Sequence, residues 1–258
     1  MDHMTFLINL RLVNSLTPIT GADGVYAHAA ILQTLALVNQ KHSQILHDAK
    51  IAKPLSLALI SHQRGVTLRV SLMSPNAIAY ANNIVQALSL TGSMIRLGRK
   101  RCSIESVEIG GICGWSDFFQ KPAKNIQIHF ITPTGINKRQ PGHRHLTWLY
   151  PDPTDIFAGL MRRWRALGGP DLPAGILSFI ESGGCVIARH NLRTVEFRTK
   201  ERTQIGFVGS VVYQCRHSNK EATTALAALA RFAGFAGVGY QTARGMGAVQ
   251  VLINSEVE

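Results

Sequence analysis

Strand-like and helix-like patterns follow one another in an order that few folds accommodate. Residues 4–14, MTFLINLRLVN, place Phe6, Ile8, Leu10 and Leu12 on one face at the two-residue period of a half-buried strand. From Ala27 to about Gln44 the spacing becomes helical, with Ala29, Leu32 and Leu35 recurring every three to four positions and no glycine or proline. LSLALIS (55–61) and GVTLRVSLM (65–73) read as adjacent strands. Pro75 and Asn76 open a second helix, AIAYANNIVQALSL, and RCSIESVEIG (101–110) returns as a strand. The order βαββαβ is that of the ferredoxin-like unit.

Glycine and proline crowd between Gly110 and Pro122, a place for the chain to change domain. After it the same order is read again: strand 125–133, helix 154–168, strands near 184–199 and 204–216, helix 220–233, strand 247–253. The expectation is an α+β chain of two tandem ferredoxin-like domains, residues 1–120 and 121–258. In the helix DIFAGLMRRWRAL, Ile156, Leu160, Trp164 and Leu167 share a stripe, and Arg162, Arg163 and Arg165 fan across the outer face. The alanine-rich helix EATTALAALARFA is suited to close packing on a sheet.

Charge narrows the partner. Lysine and arginine number 27 against 15 aspartate and glutamate, a balance of +12, and residues 121–258 hold +8 of it. Such an excess favours a polyanion, and without a long amphipathic basic helix nucleic acid is favoured over a membrane surface. The four cysteines, Cys102, Cys113, Cys185 and Cys215, form no CxxC pair, so no structural zinc is expected. Neither a signal peptide nor a run of 18 apolar residues is read, and the expected location is cytoplasmic.

The densest local signal is GFAGVGYQTARGMGAVQVL at 234–252, where Gly234, Gly237, Gly239, Gly245 and Gly247 fall within fourteen residues between a helix and the last strand. It is neither a Walker A loop nor a dinucleotide fingerprint, since GxxxxGK[ST] is absent and no helix follows it. Two readings stand. The loop presents amides with Tyr240, Thr242 and Arg244 to a phosphate backbone, or it is a helix-to-strand crossover whose glycines serve the backbone alone.

This loop resembles the carboxy-terminal glycine-rich loop of the CRISPR-associated repeat-processing endoribonucleases, members of the repeat-associated mysterious protein superfamily. FITPTGINKRQPG (130–142), IFAGLMRRWRAL (156–167) and IGFVGSVVY (205–213) agree with it. The resemblance implies two ferredoxin-like domains, CRISPR repeat RNA as the partner, metal-independent endonuclease activity and no cofactor. It also admits an alternative, a non-catalytic RNA-binding subunit of a CRISPR effector complex, with other subunits as further partners. Many family members carry a catalytic histidine after the first helix and a lysine a few residues on, an arrangement matched by His47 and Lys53. The family often adds a tyrosine on the first helix. Leu32 stands nearest that position here, with Tyr26 and His28 one to two turns earlier as substitutes.

The same residues suit the chemistry. Cleavage without metal needs the 2′-hydroxyl deprotonated, the phosphorane charge stabilised and the 5′-oxygen protonated; histidine titrates nearest neutrality for the two proton transfers. His47 is read as general base or general acid, and Lys53 as the stabilising charge. No carboxylate pair suggests a metal-dependent nuclease. For RNA binding the candidates are Lys138, Arg139, His143 and Arg144 of one basic loop, Arg162 and Arg163 of the helix, and Gly237, Gly239, Tyr240, Thr242, Arg244, Gly245 and Gly247 of the glycine-rich loop.

Overall fold

The structure, a computed structural model, describes residues 4–13, 18–20, 23–49, 52–63, 65–140, 143–198, 203–216 and 219–254. The first half runs β1 (Met4–Val13), α1 (Gly24–Val38), α2 (Gln40–Asp48), β2 (Leu55–His62), β3 (Gly65–Ser74), α3 (Ala77–Leu90), β4 (Met94–Leu97) and β5 (Lys100–Gly114). Its strands form one antiparallel sheet in the order β2-β3-β1-β5-β4. The alternation in β1 sends Ile8, Leu10 and Leu12 inward, each at most 1% exposed, against α1 and α3.

After the short helix α4 (Trp115–Phe118), the second half runs β6 (Asn125–Thr134), β7 (Ile136–Gln140), β8 (His143–Trp148), α5 (Pro153–Ala166), α6 (Ile176–Phe179), β9 (Cys185–Arg198), β10 (Thr203–Cys215), α7 (Lys220–Ala236) and β11 (Val249–Asn254). Four strands make a sheet in the order β11-β6-β10-β9, and β7 and β8 form a separate hairpin. The molecule is α+β with two tandem ferredoxin-like units. Trp115 and Phe118 join Trp164 and Phe232 in the second core by edge and tilted ring contacts. Cys185 and Cys215 face each other across β9 and β10 as free thiols, Sγ to Sγ 3.9 Å. Among the described residues, no helix is long and apolar enough to cross a membrane.

Two differences from the sequence reading shape the site. The single helix expected over Ala27–Gln44 is two, because Asn39 leaves the helical region at φ −148° and ψ 95° and its side chain accepts the His42 amide at 3.0 Å. This N-cap restarts the chain as α2, which carries His47 in its last turn. The alanine-rich α7 packs on both sheets rather than one, touching β1, β2 and β3 of the first and β6 and β11 of the second. Alanine at Ala225, Ala227, Ala228, Ala230 and Ala233, all buried, lets both sheets approach. Ser56 Oγ of β2 donates to the Phe235 carbonyl at 2.7 Å, tying the first sheet to the end of α7.

Candidate active site

A cavity of about 610 Å³ opens where the two units meet, lined by α1, the lead into β2, β7, α5 and the glycine-rich loop. The loop's shape begins with its glycines. Gly239 (φ +81°) and Gly247 (φ +72°) hold left-handed backbone, and a Cβ would lie 2.2 Å from the Gly135 carbonyl oxygen at the first and 2.0 Å from that of Val238 at the second. The amides of Val238, Tyr240 and Gly247 donate to the carbonyls of Gly247, Gly135 and Pro133 at 2.8, 3.1 and 3.0 Å, folding the loop onto the β6–β7 turn. α1 starts against it: a Cβ on Gly24 would sit 2.9 Å from Gly245 Cα.

Arg163 of α5 holds this junction together. Its Nη1 donates to Thr242 Oγ1 at 2.5 Å and to the Ala236 carbonyl, and its Nη2 donates to the carbonyls of Lys53 and Leu55 at 3.1 and 3.3 Å. One guanidinium thereby joins α5, the end of α7, the loop and the lead into β2. Burial pushes its pKa down to about 10, so it stays charged at neutral pH.

His28, Lys53 and Arg244 then converge on the cavity from three segments. His28 Nε2 is enclosed without a hydrogen-bond partner. Burial first, then the charges of Lys53, Arg244 and His47, lower its pKa to about 4, so it is neutral at physiological pH. Lys53 Nζ donates to the His47 carbonyl at 2.8 Å, and burial with the nearby Arg244 lowers its pKa, opposed by Asp48. His47 stands outside the cavity wall with its side chain 64% exposed and Nδ1 2.9 Å from Asp48 Oδ1. Arg244 is exposed. The arrangement offers a neutral base, a second imidazole near the rim and two cations for an anion.

A profile of the family described as CRISPR-associated endoribonuclease Cas6 matches residues 128–249, and a protein of that description from Mycobacterium tuberculosis is 22% identical over 234 residues, 88% of this chain and 71% of its own. A Thermus thermophilus Cas6 solved as a product complex superposes with a TM-score of 0.84 at 25% identity, covering 96% of this chain and all of its own. The chain is similar to the Cas6 family in profile and in fold. A structure described as a Cas6-related gene from Pyrococcus furiosus has the same fold at 15% identity, with a TM-score of 0.62 over 97% of this chain and 98% of its own.

Within this chain the sequence candidates separate. His28, Lys53, Arg162, Arg163, Gly237, Gly239, Tyr240, Thr242 and Arg244 line the cavity. Tyr26 does not: its ring packs under the β4–β5 turn, where a Cβ on Gly98 would lie 3.2 Å from it, so it belongs to the first core. Arg163 is not on an outer face, because β2 and the loop cover that side of α5. Thr242 is buried with its hydroxyl spent on Arg163. The amides of Val238, Tyr240, Arg244, Met246 and Gly247 are bonded within the protein rather than turned outward. Lys138 Nζ sits 2.6 Å from Asp155 Oδ2 and 4.0 Å from the Trp148 ring centroid, clipping the β7–β8 hairpin to α5. The side chains of Arg139, His143 and Arg144 lie outside the described residues. Among the described residues no group of three or more histidine, cysteine, aspartate or glutamate side chains is placed to hold a metal.

Proposed function

We infer that this Cas6-family chain cleaves CRISPR repeat RNA in the cytoplasm by metal-independent transesterification, with its catalytic groups at the junction of a first domain, residues 1–120, and an RNA-binding second domain, residues 121–258. The observation that carries the assignment of residues is the convergence of His28, Lys53 and Arg244 on one cavity beside His47. His28, neutral, takes the proton of the 2′-hydroxyl. The 2′-oxygen bonds to phosphorus as the bond from phosphorus to the 5′-oxygen breaks, leaving a 2′,3′-cyclic phosphate upstream. Asp48 engages Nδ1 of His47, so Nε2 delivers the proton to the departing 5′-oxygen, which leaves as a hydroxyl. Lys53 and Arg244 stabilise the charge on the phosphorane oxygens.

Incubation with repeat RNA in EDTA tests the chemistry. Cleavage is expected to persist and to yield a cyclic phosphate and a 5′-hydroxyl; a 3′-hydroxyl product that requires magnesium or manganese contradicts it. Binding without cleavage under any condition favours a non-catalytic RNA-binding subunit. Arg244→Ala is expected to weaken binding across different RNA sequences and to lower the salt slope by about 0.7, one phosphate contact on a single strand. Filter binding from low to high salt measures it. An unchanged slope removes Arg244 from the phosphate path.

A further inference from the structure

The cavity is larger and more apolar than a phosphate needs. Lys53 and Arg244 stand toward α1 and Arg162 and Arg163 belong to α5, while Ile136, Ile156, Leu160 and Val238 supply an apolar wall from β7, α5 and the loop. At about 610 Å³ it lies in the range of small-ligand sites, which pair apolar walls with a few polar groups. Asn137, exposed on β7, adds an amide at the same opening.

Gly159 gives the second observation. It stands in the interior of α5 and on the cavity wall, although glycine is the poorest helix former after proline. Its backbone does not require glycine, since it is not among the positive-φ residues. Neither does packing, since a Cβ there would meet only Arg162 Nη2, at 3.8 Å. The missing side chain leaves room that the protein itself does not fill.

We propose that this cavity is a single-nucleotide subsite that takes one unpaired RNA base between the α5 face at Gly159 and β7, with the attached phosphate at Lys53 and Arg244. This rests on the reading of the chain as an RNA-cleaving protein and adds a base pocket to it. The base lies against Ile156 and Leu160, and Asn137 can donate to or accept from its edge. The charged end alone binds phosphate, whereas the pocket makes binding depend on the base.

The test is direct titration of the full chain, by calorimetry, with the four nucleoside 3′-monophosphates, ribose 5-phosphate and inorganic phosphate, in parallel with the EDTA cleavage assay. At least one nucleotide is expected to bind one-to-one and about tenfold or more tighter than either base-free probe. Gly159→Leu, which fills the pocket beside Arg162 and leaves Lys53 and Arg244 in place, is expected to remove that preference, leave phosphate binding in place and not lower the melting temperature; Gly159→Ala falls between. Equal binding of nucleotide and phosphate by the wild-type chain overturns the proposal whatever the variants do, as does an unchanged preference in a folded Gly159→Leu. A base-dependent preference without RNA cleavage keeps the pocket and removes the nuclease reading. Cleavage without the preference does the reverse.

Discussion

Alanine at His28 is expected to slow single-turnover cleavage of repeat RNA at least about 100-fold, the lower end of a general acid–base contribution and about 2.7 kcal/mol of barrier, with RNA affinity changed only a few fold. Alanine at His47 is expected to do the same, and the double variant to fall little below the worse single one, because both protons move in one displacement. Rates at saturating protein separate the roles. A normal rate in His28→Ala beside a slow His47→Ala leaves His28 as cavity wall only.

Stability carries a separate signature of His28. Its pKa is about 4 folded against 6.5 unfolded, so between those values the unfolded chain binds more protons. Stability is full above pH 6.5 and is lost as the pH falls toward 4. His28→Asn is expected to flatten that slope in urea midpoints measured from pH 7 to pH 4. A slope equal to that of wild type places the acid sensitivity on other groups.

Strands were legible where one face is buried and the other is not. β1, with Ile8, Leu10 and Leu12 inward and Arg11 paired to Glu105 on the other side at 2.8 Å, alternates plainly. The β7–β8 hairpin was not read because INKRQ and HRHLTW are polar and short. The Pro141–Gly142 pair between them was the available turn signal. Helix breaks were invisible for a different reason: Asn39 is a tolerable interior residue until its side chain caps the next helix. At the site, the glycine density announced a special loop, and φ at Gly239 and Gly247 accounts for it. The role of Arg163 had no local signal. Its partners lie 73 to 110 residues away, and a helical wheel sees only its own helix and not the β2 segment that covers it. His28 was a candidate from its place on the first helix, but its protonation state was hidden in the same way, since what keeps it neutral is burial together with cations from Lys53 and Arg244, on other segments.

Replacement of Arg163 by methionine is the substitution expected to cost the fold most. It keeps much of the aliphatic stem but removes the donors to the carbonyls of Lys53, Leu55 and Ala236 and to the Thr242 hydroxyl, leaving acceptors unpaired at the junction of the two units. Loss of a buried charged donor of this kind costs about 3–5 kcal/mol, or about 10 °C in melting temperature for a chain of this size. Arg162→Ala, one residue away and exposed, is expected to stay within about 0.5 kcal/mol. Because Arg163 anchors the carbonyl of Lys53 and the segment bearing Arg244, its loss also moves the two cations that face the phosphate. Arg163→Lys, charged but with one nitrogen for acceptors spread over three segments, is expected to recover part of the stability and less of the cleavage rate. Thermal unfolding of the three variants, with single-turnover rates taken well below each melting temperature, separates the effects. If Arg163→Met melts with the wild type, the junction is held by α7 and its alanines, and the guanidinium is dispensable to it.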